Sequence, residues 1–452
     1  MTKEEITKII DKQRCFFATN KTKDVSFRIE ALKKLRKEIK NREPEILTAL
    51  YKDLGKSRSE AYLTELSIVY NEINIVISNL KKWSRPKKVK GSIATFPSGN
   101  YIYSEPYGIV LIIAPWNYPF NLLITPLIGA IAAGNCCILR SSENSINTAK
   151  IIPRIICNIF PENYIYCLDT YTEHENVLNQ RYDYIFFTGS PRVGKIIMEK
   201  ASEHLTPISL ELGGKSPCFV DKNANIEVAA KRIIWGKFIN AGQTCISIDF
   251  VLVHKDIKEK LIAELKKQLD LNYKDAQKSD SYPKIINKHH YIRLKKLLAG
   301  ENNVIGGICN EKECKISPAL ITETDFSKPI MQEEIFGPLL PIIAYSNIDE
   351  TIKELKEKEL PLACYIFSED KKYSEKIINE LSFGGGCVND VILHICNHNL
   401  PFGGVGQSGM GAYHGCYSFE TFSQKKAIIK NTTRIDLPLR YILLNKKYNQ
   451  KN

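Results

Sequence analysis

Apolar runs of strand length at residues 109–114, 136–139, 164–168, 184–187 and 208–210 alternate with helix-length segments at 122–133, 148–159 and 193–204. No other feature so narrows the folds open to this chain. A strand that is apolar throughout has no face to give to water, so it must be covered on both sides. Helices between successive strands supply that cover. The pattern predicts an α/β fold with a Rossmann-like, doubly wound parallel sheet, ligands sitting at the carboxyl ends of the strands. The stretch 109–133 comes nearest to a membrane span. Asn117, Asn121, Pro115, Pro119 and Pro126 break it before it reaches the roughly 20 apolar residues a bilayer requires.

Around this region the rhythm differs. From residue 3 to about 82, apolar positions such as Phe27, Ile29, Leu32, Leu35 and Ile39 recur mostly at helical spacing. Residues 93–104 read as extended and turn-broken. A second α/β region runs from about 213 to 408, with helical segments at 228–238 and 257–269 and strand candidates at 250–253 and 339–345. At 452 residues the chain can build about three lobes, each with a sizeable core. The opening Met1-Thr2-Lys3-Glu4-Glu5-Ile6 has no apolar signal region, so a cytoplasmic protein is expected. The 13 cysteines are odd in number and lack a framework spacing, which favours reduced thiols. A net charge of +13 invites a nucleic-acid partner, but lysines alternate with glutamates along 259–267 and 352–358 as on solvated faces. The dense patch from Lys81 to Lys88 reads as a solvated linker. No nucleic-acid partner is expected, and the basic balance would help draw in an anionic dinucleotide.

Several segments carry chemistry. Cys245 closes the run Asn240-Ala241-Gly242-Gln243-Thr244-Cys245, whose small residues allow a tight turn that exposes sulfur and a backbone N–H together. A thiol there can be a covalent nucleophile, and a carboxylate such as Glu211, in Glu211-Leu212-Gly213-Gly214-Lys215-Ser216-Pro217, can activate water against its product. Taken alone, a cysteine is ordinarily a small buried apolar residue; convergence with other segments makes the case. In Pro115-Trp116-Asn117-Tyr118-Pro119, Asn117 either presents its amide to a developing oxyanion or caps the next helix. Thr188-Gly189-Ser190-Pro191-Arg192-Val193-Gly194 ends a strand and opens a helix, either as a phosphate site or as a plain connection. The one literal G-x-G-x-x-G, Gly404 to Gly409, follows no apolar strand and precedes no convincing helix, so it fails as a dinucleotide fingerprint. No metal site is expected: Cys309 and Cys314 lack a second pair, and His394, His398 and His414 read as structural or pocket-lining.

In this order the segments resemble the aldehyde dehydrogenase superfamily, over roughly residues 30–430. The run Asn399-Leu400-Pro401-Phe402-Gly403-Gly404-Val405-Gly406 followed by Ser408-Gly409-Met410-Gly411 is similar to the class 3 and fatty-aldehyde branch. The resemblance implies an NAD(P)-binding domain at 1–84 and 105–212, a catalytic domain at 213–408 and a small strand-rich oligomerisation arm at 85–104 and 409–432. Residues 433–452 are left as a C-terminal tail. It implies Cys245 as nucleophile, Glu211 as general base and Asn117 as oxyanion donor. It implies a cofactor site on Gly189, Ser190, Val193, Gly194, Arg140, Glu143, Glu334, Phe336 and Trp116. The reaction implied is oxidation of a hydrophobic aldehyde to an acid through a thiohemiacetal and a thioester. An ordinary thiol is only a few per cent thiolate at neutral pH, so a backbone dipole or Glu211 is expected to activate it. Where the family usually has Leu-Lys-Pro, this chain has Leu139-Arg140-Ser141-Ser142-Glu143. Glu143 can accept from a ribose 2′-hydroxyl and repel a 2′-phosphate, and Arg140 can offset that, which favours NAD with NADP tolerated. Presence of Glu211 weighs against a coenzyme A-acylating dehydrogenase or thioester reductase. Cys245, Glu211 and Asn117 together weigh against a catalytically silent structural member. The family also implies a homodimer. The short apolar run 437–444 and the polar 446–452 argue against a C-terminal membrane helix.

Overall fold

The computed structural model describes residues 1–436; the runs at 437–444 and 446–452 lie outside the described residues. Four main helices, Lys3–Ala18, Val25–Asn41, Glu43–Leu54 and Ser67–Trp83, form the N-terminal layer. Leu32, Leu35 and Ile39 are fully buried on the inner side of the second helix, as the spacing predicts.

The expected parallel sheet is present. Five parallel strands lie side by side in the order Ile208–Glu211, Tyr184–Thr188, Ile109–Ile113, Cys136–Arg140 and Ile165–Cys167. Every residue of Tyr184–Thr188 and of Cys136–Arg140 is buried, which is why these strands read as unbroken apolar runs. The long apolar stretch at 109–133 is one strand and one helix. All thirteen residues of Asn121–Ala133 are buried, despite Pro126 inside the helix. A sixth strand, Gly409–Met410, pairs antiparallel with Glu211 and Leu210 at the sheet edge.

That edge corrects the expected start of the arm at residue 409. The backbone at Gly409, with φ +148°, lies so close to Leu210 that an added Cβ would fall 2.3 Å from its carbonyl oxygen. Residues 409–410 therefore form the edge of this sheet. The arm is a three-stranded antiparallel sheet of Lys87–Val89, Gly99–Pro106 and Ser423–Lys430. The second α/β region holds a seven-stranded sheet in the order Val304–Gly306, Ala319–Ile321, Leu339–Tyr345, Phe250–His254, Pro217–Val220, Ala363–Phe367 and Gly385–Val388. Its strands are parallel except the first, Val304–Gly306, which is antiparallel to its neighbour. Short strands around residues 304–321 escaped the sequence pattern because two or three residues carry no period.

Candidate active site

The helix Ile226–Phe238 runs into a turn that only a special backbone can make. Asn240, Ala241 and Gly242 all have positive φ, at 52°, 52° and 74°. Three consecutive left-handed residues are costly and persist only where the surroundings hold them. Here they are held on every side. The Asn240 N–H donates to Glu60 Oε1 at 2.7 Å, and the Gln243 amide donates to the carbonyls of Asn240 and Lys284, both at 3.0 Å. Gln243 Oε1 accepts from the Ile286 N–H at 3.0 Å. Gly242 approaches Gly337 so closely that a Cβ would lie 2.3 Å from its carbonyl oxygen. The turn delivers Cys245, half-buried among fully buried neighbours.

Asn117 comes to the same turn from the end of the strand Ile109–Ile113. Its Nδ2 donates to the Gln243 carbonyl at 3.1 Å, which leaves one amide hydrogen free. Its own carbonyl accepts from Asn240 Nδ2 at 2.9 Å and from Lys56 Nζ at 3.0 Å. Lys56 is paired with Glu65 at 2.8 Å, both side chains wholly buried, and Glu65 also accepts the N–H groups of Phe120 and Asn121. Lys56 sits 3.9 Å above the Tyr118 ring, and Tyr118 hydrogen-bonds Thr244 at 2.6 Å. A buried ion pair thus clamps the Asn117 loop against the Cys245 turn. Sequence reasoning missed Lys56, Glu65 and Tyr118, since two charged residues in a helical segment look solvated.

Glu211 ends the strand Ile208–Glu211, is 2% exposed, and has no hydrogen-bond partner on either carboxylate oxygen. Burial holds its pKa well above the usual carboxylate range. Cys245 is pushed up to about 12 by burial first, then by the nearby charges of Glu334 and Glu211. Against these, the backbone N–H groups of Ile246 and Cys245 lower it, which is the backbone contribution expected from the sequence, but burial and the two carboxylates outweigh them. Burial and Asp249 raise Glu334 to about 8, and its carboxyl lies against Gly213, where an added Cβ would overlap Oε2. Buried Tyr413 feels both Glu211 and Cys245 and walls the same space.

Trp116 and Phe336 meet edge to face at 5.3 Å, Phe336 itself at φ 49°. The Gly189 N–H donates to the Glu211 carbonyl at 2.9 Å, and Ser190 caps the helix Pro191–Ser202 by accepting from Val193 at 3.5 Å. Gly194 is buried, its hypothetical Cβ 3.0 Å from Leu212. Between this helix start and Glu334 lies a cleft of about 900 Å³, lined among others by Pro191, Lys195, Gly213, Glu334 and Gln407. It is large enough for a dinucleotide, and a capped helix start opens on it. Arg140 and Glu143 form a separate group. The Arg140 fork donates to the Thr172 carbonyl at 2.8 Å inside the protein, and Glu143 stands exposed. The Gly404–Gly409 turn leads into the antiparallel edge strand, with no helix of a nucleotide fold after it.

Residues 1–428 match the aldehyde dehydrogenase family. The 4,4'-diaponeurosporen-aldehyde dehydrogenase of Staphylococcus aureus is 50% identical over 427 residues, covering 94% of this chain and 93% of that protein. Aldehyde dehydrogenase family 3 member A2 of Macaca fascicularis is 42% identical over 428 residues, 94% of this chain and 88% of that protein. The solved substrate-bound state of Staphylococcus aureus AldH superposes with a TM-score of 0.93 at 49% identity, covering 96% of this chain and 95% of that chain.

Proposed function

The chain belongs to the aldehyde dehydrogenase family, and from that premise we propose that it oxidises hydrophobic, medium- or long-chain aldehydes to acids through a Cys245 thioester that Glu211 hydrolyses. Its activity is aldehyde oxidation with NAD or NADP as cofactor. The observation that carries the hydrolytic reading is Glu211: a buried carboxylate with both oxygens unpartnered, electrostatically coupled to the thiol. Such a group is expensive to maintain and suits a proton acceptor.

Cys245 gives up its proton as it attacks the aldehyde carbon, and Glu211 is the nearby acceptor. The oxyanion that forms receives the free Asn117 amide hydrogen and the Cys245 backbone N–H. Glu334 lines the cleft opposite Pro191 and Lys195; with the turn Gly189, Ser190, Val193 and Gly194 beside that helix start and with Phe336 and Trp116, it would hold NAD(P), whose nicotinamide would accept the hydride. Once Glu211 has released the thiol proton to solvent, it takes a proton from water, hydroxide adds to the thioester, and the acid leaves as Glu211 returns its proton to the thiolate. Cofactor preference follows Glu143, which stands exposed to meet a ribose hydroxyl, whereas Arg140 spends its fork on Thr172. That favours NAD, with NADP tolerated. The hydrophobic substrate class is supported by the relative whose name carries a diaponeurosporen aldehyde, and by aromatic Tyr118, Tyr365 and Tyr413 around the thiol. A homodimer built on the arm is proposed by likeness to dimeric relatives.

NADH and NADPH formation, followed across aldehydes from acetaldehyde to dodecanal with and without coenzyme A, tests this reading. Steady turnover without coenzyme A, rising with chain length, is expected. Turnover only in its presence would assign the chain to the acylating branch, and none with any aldehyde would leave a silent fold.

A further inference from the structure

Behind Tyr413, the helix Ser67–Trp83 meets the loop at 397–399 and the turn at 413–415. There Glu72, His398 and His414 each bring one ligand-type atom within 4.8 Å of the others. All three are closed off from solvent: Glu72 and His414 are 0% and 1% exposed, and the His398 side chain is 8% exposed. Glu72 Oε1 is fixed by the Gly415 N–H at 2.8 Å and the Ser418 hydroxyl at 3.4 Å, and this turns Oε2 toward His398 Nδ1 at 2.6 Å. His398 Nε2 lies 2.8 Å from Asn71 Nδ2. His414 differs, because both of its ring nitrogens are buried without a hydrogen-bond partner. Structural histidines in a folded interior normally have a partner on at least one nitrogen.

We propose that Glu72, His398 and His414 form a binding site for one divalent transition-metal ion, Zn²⁺ by its donor set. Two imidazoles and one carboxylate in a dry pocket select such an ion over Mg²⁺ or Ca²⁺, which prefer all-oxygen shells. The surrounding groups act as an outer shell: Gly415 and Ser418 orient the carboxylate and Asn71 orients His398. Ligation at His398 Nδ1 moves its proton to Nε2, where the Asn71 amide, turned over, offers its oxygen as acceptor. A tetrahedral ion needs ligand atoms about 3.3 Å apart. The Glu72–His398 pair therefore opens slightly while His414 closes in. The site would pin the helix Ser67–Trp83 to the turn that carries Tyr413.

The test uses the tag-free full chain carrying Cys245→Ser, so that the catalytic thiol cannot compete for metal. After chelator treatment the protein is titrated with Co²⁺ and then with Zn²⁺. One equivalent of Co²⁺ with visible d–d absorption, displaced by Zn²⁺, and a Zn²⁺-dependent rise in Tm are expected. His398→Asn should weaken Co²⁺ binding by at least about 100-fold, since even outer-shell losses reach that scale. Absence of both the bands and the Tm rise in the Cys245→Ser protein would overturn the proposal, with no ligand variant needed. So would bands of equal strength in His398→Asn, which would put the metal elsewhere.

Discussion

Cys245 sits where its proton is hard to remove, and that has a kinetic consequence. Its pKa is raised to about 12, so the thiol is largely protonated at neutral pH, and burial raises that of Glu211 above the usual carboxylate range. The reactive forms are the deprotonated ones, and a raised pKa means that their fractions grow as pH rises. Pre-steady-state thioester formation should therefore accelerate from pH 7 to pH 10; a rate flat or falling over that range would contradict the charge balance described for the site. The oxyanion side has its own check. Asn117→Ala should lower kcat by roughly 100- to 1000-fold, the usual cost of losing one such donor, with little change in Tm. Lys56→Met should lower kcat as well, yet also destabilise the protein by about 3–5 kcal/mol, because it leaves Glu65 buried and unpaired. Thermal unfolding beside steady-state kinetics separates the two effects. Cys245, Glu211 and Asn117 stood out in the sequence as candidates because each lies in a short run of small or rigid residues. Lys56, Glu65 and Glu72 did not. Their significance is burial, which a charged residue in a helical pattern does not announce, and the sign of the shift on Cys245 depends on neighbours more than 30 positions away.

At the scale of elements, the turn from Asn240 to Gly242 matters most. It holds three left-handed residues between the helix Ile226–Phe238 and the thiol, and Gly242 is required there twice over, by φ +74° and by its contact with Gly337. Gly242→Ala should cost at least about 1–2 kcal/mol from the backbone alone, with the overlap adding to it. It should also change the alkylation rate of Cys245. Unfolding by denaturant together with iodoacetamide kinetics measures both, and an unchanged midpoint with an unchanged alkylation rate would contradict the strained-turn description. The parallel strands from 109 to 211 were legible because complete burial writes itself as continuous apolar sequence. Gly409–Met410 was not, because two residues on an edge carry neither period nor composition, and the pairing that claims them is set by close approach to Leu210.

The whole molecule brings its two large sheets to one place. Glu211 ends a strand of the nucleotide sheet, whereas Cys245 stands just before a strand of the other, and Asn117 reaches across between them. The sequence made both halves visible as separate α/β rhythms. It gave no view of the cleft between them, which exists only once Gly213 and Glu334 have packed together. Division of labour between the halves can be read directly. Rapid mixing of the Glu211→Gln protein with NAD and excess aldehyde should give a burst of one NADH per active site, slower than wild type because the thiol proton must then pass to solvent, and then almost no further turnover, since the thioester that forms is not hydrolysed. Steady NADH production at the wild-type rate after the burst would contradict the role of Glu211 and move the water-activating base to another residue.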